Sequence, residues 1–375
     1  MDIALVRQRY NPFGGAERFI ERALGALGGE GVHVTIFARS WKPVAGADFV
    51  RCDPFHVGRT WRDASFEAEV CRQLAQRRFD LVQSHERIAC CDLYRAGDGV
   101  HRQWLENRDR ARGRLRRAFT GLSPFHARVL RAERRMFASP RLRAVVCNSR
   151  MVAAEVRHWF GLPEDRLHVV HNGVDLERFN PGLRESGGAL RAELGVAEAD
   201  SLLVMVGSGF ERKGVPQLLQ AMQSLGRRDL HLAVVGADRR LAAFKAEAAS
   251  RGLSGRVHFC GGVEDVRPWY GAADCFVLPT LYDPFPNAAL EALACGLPIV
   301  TSTACGAAEL VTEGANGHVC DALDVASLSR LLDRRRGDWD GMREAARASV
   351  SGLSPASMAA RLAGVYRELL GSGDR

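Results

Sequence analysis

The sequence lacks the features that mark membrane-spanning, fibrous and low-complexity proteins. No segment approaches the length of a transmembrane helix, and the apolar run at residues 3–6 is far too short for a signal peptide. No compositionally biased or collagen-like tract occurs either. Because 46% of the residues are apolar, the chain can bury a large core, and we expect a globular protein of the cytosol.

The ten cysteines contain no C-x-x-C pair, and several of them fall inside apolar runs. A free cysteine in such a run behaves as a small hydrophobic side chain. The spacing therefore disfavours a zinc site and a disulfide framework, and it agrees with a reducing compartment.

Positive charge is concentrated in one stretch of the chain. The formal net charge is +8, and residues 101–137 carry eleven arginines against Glu106, Asp109 and Glu133. This stretch alone equals the whole formal excess, so the rest of the chain is balanced. A local excess of this kind predicts a local partner.

Short apolar runs alternate with helix-period segments along all 375 residues, which is enough chain for two domains. Such alternation predicts α/β domains, each a doubly wound parallel sheet with helices on both faces. A stretch rich in proline, glycine and polar residues at 180–188 suggests the break between them. The predicted strands are residues 3–6, 32–38, 80–84, 144–147, 168–170, 202–206, 230–235, 257–260, 275–278 and 298–301, with a predicted helix at 16–27.

Ligands bind beyond the carboxyl ends of the strands in such sheets, so two facing domains create a cleft. After the first strand, Gly14 and Gly15 let the backbone approach a ligand, and the helix that follows offers amides to an anion or a hydroxyl. A tight strand-to-helix turn explains the same glycines equally well. The loop is not a G-x-G-x-x-G fingerprint, which disfavours a nicotinamide site.

Two adjacent cations, Arg212 and Lys213, follow the first strand of the second half and stand beside glycines. Such a pair suits a diphosphate, because one charge pair at ~4 Å contributes roughly 4 kcal/mol before desolvation at an effective dielectric of about 20. The alternative is an exposed charged turn.

Two carboxylates eight residues apart, Asp283 and Glu291, flank the predicted start of a helix near Asn287. Amides at that helix start can hold phosphate oxygens. The carboxylates can accept hydrogen bonds from sugar hydroxyls, Glu291 from a ribose and Asp283 from a hexose. Because Glu291 lies in an apolar helical run, it is expected to have a polar partner.

The segment from Asp283 to Glu291 resembles the E-x7-E signature of family 4 glycosyltransferases, with Asp283 in place of the first glutamate. Three further stretches match that family in order and spacing: Arg212-Lys213-Gly214, residues 171–175, and Asn148-Ser149 ahead of a predicted helix. The resemblance covers nearly the whole chain. Residues 12–15 and 207–208 point more narrowly to relatives of the lipopolysaccharide core glucosyltransferase I.

The resemblance implies a GT-B fold of two Rossmann-like domains, with residues 1–176 on the acceptor side and 177–355 binding the nucleotide sugar. A C-terminal helix at 356–375 would return to the first domain. It further implies transfer with retention of configuration from a UDP-sugar, with no metal and no other cofactor. The implied donor-binding residues are Gly14, Gly15, Arg212, Lys213, Asp283, Phe285, Asn287, Ala288 and Glu291, and the implied catalytic residues are Asp98, Asp283, Lys213 and Arg212.

The sequence departs from the family pattern at two places. Many relatives have arginine directly after the glycine where this chain has Ser208, so Arg212 would carry more of the phosphate contact. Pro284 and Pro286 have no N–H, so the loop offers fewer amides to the donor.

Family members place a histidine or aspartate of the catalytic cleft near residues 95–101, and Asp98 is the match. It can orient or deprotonate the acceptor hydroxyl. His101 is the rival for that role, and a helix-capping Asp98 is the structural alternative.

The arginine-rich stretch has an apolar stripe of Trp104, Ala111, Leu115, Ala118 and Phe119 at helical spacing. An apolar stripe flanked by arginines is typical of a helix at a bilayer surface, where each arginine contributes on the order of 1 kcal/mol. A solvated basic face and a phosphorylated acceptor are the alternatives. The predicted acceptor or membrane contacts are His101, Trp104, Arg110, Arg112, Arg114, Arg116 and Arg117.

These patterns predict a hexosyltransferase that acts on a membrane-associated acceptor in lipopolysaccharide core or other cell-envelope glycan synthesis. It would lie at the inner face of the cytoplasmic membrane and bind no nucleic acid. The alternatives are a nucleotide-sugar epimerase of the same fold, a soluble polymerising synthase, and a non-enzymatic nucleic-acid-binding protein. The last of these explains the arginines but not the carboxylate pair.

Overall fold

The structure, a computed structural model, describes residues 1–9, 32–41, 46–120 and 123–371, with backbone only at 113–120. It divides into two compact units. The first unit comprises Met1–Gly173 with Pro355–Arg375, and the second comprises Val174–Ser354. The predicted helix at 16–27 and the loop with Gly14 and Gly15 lie outside the described residues.

Each unit is built on one parallel sheet. In the described part of the first unit the strand order is β3-β2-β1-β4-β5-β6-β7, and in the second unit it is β10-β9-β8-β11-β12-β13. The strands are β1 (Asp2–Val6), β2 (His33–Ala38), β3 (Ala47–Arg51), β4 (Leu81–Ser84), β5 (Leu93–Ala96), β6 (Ala144–Cys147), β7 (Leu167–Val169), β8 (Ser201–Val206), β9 (Leu230–Val235), β10 (Val257–Gly261), β11 (Cys275–Leu278), β12 (Ile299–Ser302) and β13 (Gly317–Cys320).

Helices follow most strands, as a parallel sheet requires for its crossovers. The described helices are α1 (Gly58–Ala75), α2 (His101–Thr120), α3 (Pro124–Phe137), α4 (Arg150–Phe160), α5 (Gly187–Glu193), α6 (Phe210–Lys213), α7 (Val215–Leu225), α8 (Leu241–Ser250), α9 (Arg267–Ala272), α10 (Asn287–Ala294), α11 (Val325–Leu332), α12 (Arg336–Asp340), α13 (Arg343–Ala348) and α14 (Pro355–Gly371).

The central strands are apolar because both sheet faces are covered. All six residues of β8 and all six of β9 are buried, which is the pattern of a parallel sheet between two helical layers. Every predicted strand is present, with ends shifted by at most one residue. The sequence prediction missed β3, β5 and β13, because β3 is a half-exposed edge strand and the other two carry the buried polar residues Arg95 and His318.

Two sequence expectations are corrected. The stretch at 180–188, which suggested a break between domains, lies inside the second unit, where Gly187 packs so closely on Gly271 that a Cβ would lie 2.4 Å from its carbonyl oxygen. The cysteine spacing disfavoured a disulfide framework, but one disulfide joins Cys71 to Cys90. The packing of α1 brings this pair together across a sequence separation of 19, which no local motif announces.

The C-terminal helix α14 lies against the first sheet. Its residues Met358, Leu362 and Tyr366 share a core with Ile3 and other strand residues. The hydroxyl of Tyr366 donates a hydrogen bond to Gln83 Oε1 at 2.8 Å, so a buried polar pair fixes the helix to β4. Among the described helices, none combines the length and the apolar character needed to cross a bilayer.

Candidate functional site

The loop after β8 is built by glycines. Gly207, Gly209 and Gly214 have φ values of 146°, 79° and 84°. These values are rare for residues with a side chain, and they let the chain turn twice around the four-residue helix α6. At Gly214 a Cβ would lie 2.0 Å from the carbonyl oxygen of Pro279, so this position also needs glycine for space. The loop is thereby held against the segment that follows β11.

That packing brings Lys213 to Asp283, although 70 residues separate them in the sequence. Lys213 is 7% exposed, and its ammonium group forms an ion pair and hydrogen bond with Asp283 Oδ2. A Cβ on Gly207 would lie only 3.1 Å from Lys213 Cε, so the bare glycine leaves the path for the lysine stem. Lys213 is one of three lysines in a chain with 49 arginines, and a lysine brings a slimmer stem and a more compact charge to this position than an arginine would.

Arg212 completes the cluster from the more exposed side. Its Nη1 lies 3.9 Å from Asp283 Oδ2 and donates to the carbonyl oxygen of Tyr282 at 3.0 Å. The side chain remains 40% exposed, so the guanidinium can still meet a ligand. The structure thus brings together three of the residues predicted as catalytic, two cations on one carboxylate.

The backbone around the cluster is tied down on both sides. The amide of Asp283 donates to Ala304 at 3.0 Å, and its carbonyl accepts from Gly306 at 2.8 Å. The carbonyl of Arg212 accepts from the hydroxyl of Thr280 at 2.9 Å and from the amide of Leu281 at 2.8 Å. The sequence analysis did not single out Thr280, and a threonine after a buried strand gives no local signal of this role.

Glu291 lies in α10, where residues 289–294 are all buried. It is 3% exposed, and its Oε2 accepts a hydrogen bond from the hydroxyl of Tyr270 at 3.1 Å. The same hydroxyl lies 3.3 Å from the carbonyl oxygen of Ala288. The predicted polar partner of Glu291 is therefore present, but sequence reasoning did not identify it as Tyr270.

The remaining predicted donor-binding residues of this segment flank the start of α10. Phe285 is 4% exposed and belongs to the core, whereas Asn287 and Ala288 are half-buried. Pro286 precedes the helix as its cap residue without a side-chain capping bond. The predicted helix start near Asn287 is where the structure begins α10.

In the first unit, Asp98 follows β5 and has a side chain 59% exposed, with Oδ2 at 3.7 Å from Arg7 Nη1. The amide of His101 at the start of α2 donates to Glu133 Oε1 at 2.8 Å. Glu133 therefore binds the first amide of that helix, and Asp98 is directed to Arg7 instead. This geometry argues against the capping alternative for Asp98.

A buried arginine lies beside Asp98 in the sequence. Arg95 is 2% exposed and donates to Asn172 Oδ1 at 2.6 Å, and its guanidinium lies close to Gly97, where a Cβ would be 2.4 Å from Nη1. Burial lowers the pKa of Arg95 to about 9, against the opposing effect of Asp98. Asn172 belongs to the 171–175 motif, so one task of that motif is to hold Arg95.

His101 is enclosed by aromatic and basic side chains. Its Nε2 lies 3.1 Å from Nδ1 of His126, and its ring lies 5.4 Å from the ring of Trp104. Burial, followed by the charge of Arg87, lowers the pKa of His101 to about 3. The ring is therefore neutral at physiological pH, and it is a weak base there.

The arginine-rich stretch forms the two helices α2 and α3. Arg110, Ala111 and Arg112 are exposed on α2. The predicted contacts Arg114, Arg116 and Arg117 lie where only the backbone is described, and that backbone is helical through Thr120. Among the described residues no group of three or more His, Cys, Asp or Glu side chains is arranged to hold a metal ion.

Two family models match the chain in tandem. The model for glycosyltransferase family 4 matches residues 13–178, and the model for glycosyl transferases group 1 matches residues 188–347. Their ranges correspond to most of the first unit and most of the second unit.

Individual relatives agree with these matches. The chain is 29% identical to the lipopolysaccharide glucosyltransferase WaaG of Escherichia coli K12 over 325 residues, which are 85% of each protein. It is 32% identical over 215 residues to a D-inositol 3-phosphate glycosyltransferase of Xylanimonas cellulosilytica, which covers 53% of this chain and half of that relative.

Solved structures share the architecture. The crystal structure of WaaG matches with a TM-score of 0.81 and 25% identity over 97% of this chain and 99% of that one. Anabaena HepE in complex with UDP-glucose matches with a TM-score of 0.71 and 20% identity over 98% of this chain and all of HepE. The predicted α/β architecture of GT-B type and the predicted transferase activity are thereby confirmed. The chain belongs to the glycosyltransferases, with a family 4 domain followed by a group 1 glycosyl transferase domain.

Proposed function

We propose that the protein is a retaining hexosyltransferase that moves a sugar from a UDP-sugar to a membrane-associated glycan acceptor. The reaction would belong to lipopolysaccharide core or other cell-envelope glycan synthesis. The observation that carries this proposal is the cluster of Lys213 and Arg212 on the carboxylate of Asp283. It is supported by WaaG, which is described as a lipopolysaccharide glucosyltransferase, and by HepE, which was crystallised with UDP and with UDP-glucose.

The cation pair fits the diphosphate of the donor. When the bond between the sugar and the diphosphate breaks, negative charge grows on the leaving phosphate, and cations already in place stabilise that charge without reorganising. Lys213 is fixed by Asp283, and Arg212 is half-exposed with its head group at the same carboxylate. Both cations use Oδ2 of Asp283, and we assign its Oδ1 to a hydroxyl of the transferred hexose.

Glu291 is assigned to the ribose of the nucleotide. The hydroxyl of Tyr270 donates a hydrogen bond to Oε2 of Glu291 and thereby restrains the orientation of the carboxylate on the buried helix α10. A carboxylate held in one orientation can accept from two neighbouring hydroxyls of a ribose. Tyr270 is a positioning residue in this assignment, because it acts through Glu291.

On the acceptor side we assign Asp98, rather than His101, to the acceptor hydroxyl. Asp98 is exposed and can be reached by a large glycan. His101 is half-buried among the rings of Trp104, Phe125 and His126, so it is less accessible to such an acceptor. The exposed arginines of α2 would hold the anionic acceptor or the inner face of the cytoplasmic membrane that carries it.

The decisive experiment is a thermal-shift panel of nucleotide sugars followed by a transfer assay. A ligand at one hundred times its dissociation constant stabilises the folded state by about 2.7 kcal/mol, so UDP and the correct UDP-sugar should raise Tm by several degrees. No shift with any nucleotide sugar contradicts the proposal. Isomerised sugar after incubation with donor alone favours the epimerase alternative.

We also propose that no metal ion takes part, because Arg212 and Lys213 supply the positive charge that the diphosphate needs. Addition of EDTA should leave the transfer rate unchanged. A loss of transfer that a divalent cation restores would contradict this part of the proposal.

A further inference from the structure

Three large apolar side chains project into solvent around the start of α1. Phe55 is 77% exposed, Val57 67% and Trp61 49%. The rings of Phe55 and Trp61 meet edge to face with centroids 5.5 Å apart, so they form one surface feature. We call Phe55, Val57 and Trp61 the aromatic tip.

The aromatic tip is held in place by a buried cation. Arg39 is 2% exposed, and its Nη1 donates to Asp53 at 2.9 Å and to the carbonyl of Pro54 at 3.0 Å. Its Nη2 donates to the carbonyl of Arg62 at 2.5 Å and to the hydroxyl of Ser65 at 3.0 Å. One guanidinium therefore binds the segment before the tip and the first turns of α1 after it, which keeps the apolar side chains outward.

The aromatic tip adjoins the arginine-rich helices. Arg59, between Val57 and Trp61, lies over the ring of Phe125 in α3 at 4.8 Å. The ring of Phe125 in turn lies 6.5 Å from that of His101 in α2. A chain of contacts thus connects the tip to the helix that displays the exposed Arg110.

We propose that the aromatic tip inserts into the interface of an anionic lipid bilayer while the arginines beside it bind the lipid headgroups. This inference rests on the proposed membrane-associated acceptor and identifies residues outside 101–137 that dock the enzyme. Aromatic side chains, tryptophan above all, favour the bilayer interface, and a cluster of arginines favours anionic headgroups. Apolar side chains that are held in an exposed position by a buried arginine are typical of a surface that binds a partner, here the lipid bilayer.

The test is binding to vesicles of phosphatidylglycerol and phosphatidylcholine. The full chain with Phe55→Ser and Trp61→Ser should bind at least tenfold more weakly than wild type, which corresponds to about 1.4 kcal/mol. The matched control is Phe49→Ser, since Phe49 is 45% exposed on the edge strand β3, and it should bind like wild type. Vesicles with brominated acyl chains should quench part of the tryptophan fluorescence, and Trp61→Phe should remove that part while binding persists.

The proposal is overturned if wild type does not bind anionic vesicles, or if the double variant binds them as tightly as wild type. It is also overturned if Phe49→Ser weakens vesicle binding as much as the double variant does. A fourth contradicting result is that the double variant loses a dimer that wild type forms while its vesicle binding is unchanged. The UDP-induced rise in Tm is measured on every variant. If vesicle binding depends on the aromatic tip but no nucleotide sugar raises the Tm, the proposed function is contradicted and the membrane-binding role of the tip is retained. A UDP shift preserved in the double variant shows that its weaker vesicle binding does not come from unfolding.

Discussion

In the second unit Lys213, Asp283 and Glu291 are buried and hydrogen-bonded, whereas in the first unit Asp98, Arg110 and Arg112 are exposed. Lys213 and Glu291 are 7% and 3% exposed, while the side chain of Asp98 is 59% exposed. A small anion can be enclosed by preformed partners, but a large acceptor needs groups that it can reach. The difference supports our proposal that the second unit holds the donor and the first receives the acceptor.

The largest effect is expected at Lys213. Lys213→Ala removes a preorganised cation from the proposed leaving group and should lower kcat by about 10²–10³-fold. Lys245→Ala, at an exposed lysine of α8, is the matched control and should keep full activity in the same transfer assay. Wild-type turnover in Lys213→Ala would remove the cluster from the reaction.

A second variant sharpens the same point. Lys213→Arg keeps the charge but places a larger head group beside Gly207 and Asp283. Because a guanidinium does not fit the space of an ammonium, we expect most of the loss of Lys213→Ala. Full activity of Lys213→Arg would show that charge alone matters there.

Asp98 tests the acceptor side of the comparison. Asp98→Asn should lower kcat by about 10²-fold, because the acceptor hydroxyl loses its base. Its affinity for UDP, measured by calorimetry, should stay unchanged, since the donor is assigned to the other unit. A normal kcat in Asp98→Asn would show that Asp98 is not the base that acts on the acceptor hydroxyl.

A smaller effect is expected at the ribose contact. Glu291→Ala should weaken UDP binding by roughly tenfold or more, because hydrogen bonds to a charged group contribute about 1.5–3 kcal/mol. Tyr270→Phe should weaken UDP binding less than Glu291→Ala does, because the carboxylate of Glu291 loses its restraint but can still accept hydrogen bonds from the ribose. Calorimetry on both variants checks the order, and a larger loss in Tyr270→Phe than in Glu291→Ala would contradict the assignment.

The smallest effect concerns pH. In the unfolded chain a histidine titrates near pH 6.5, whereas in the folded chain the pKa of His101 is about 3. Between these values the unfolded state binds a proton that the folded state does not, so the free energy of unfolding falls as the pH decreases below about 6.5. His101→Gln should reduce that slope by up to about 1.4 kcal/mol per pH unit, and His158→Gln, at an exposed ring, is the control in denaturant titrations.

Sequence reasoning was strongest where one local pattern decides the structure. The strand at 230–235 was predicted with the observed ends, because five of its six residues are apolar and polar residues flank it. The start of α10 was predicted near Asn287, which is the first residue of the helix. The resemblance to family 4 then placed Lys213 and Asp283 in one site, and the structure shows them paired.

Sequence reasoning failed where distant segments decide. Tyr270 in α9 meets Glu291 in α10 only in the folded chain, 21 residues away in the sequence, and Cys71 meets Cys90 only where α1 is folded against the first unit. The residues of the aromatic tip follow neither the helical nor the strand period of apolar residues. The sequence therefore does not predict that the side chains of Phe55 and Trp61 are exposed. Such contacts form between segments that are far apart in the sequence, so local patterns of residues do not reveal them.

The central claim is that Arg212 and Lys213, both held at the carboxylate of Asp283, bind the diphosphate of the donor. The most direct measurement is calorimetric titration of UDP and UMP into wild type and Lys213→Ala. Wild type should prefer UDP by at least about tenfold, or about 1.4 kcal/mol, and the variant should lose most of that preference. If Lys213→Ala still distinguishes UDP from UMP as well as wild type does, the cluster does not bind the diphosphate.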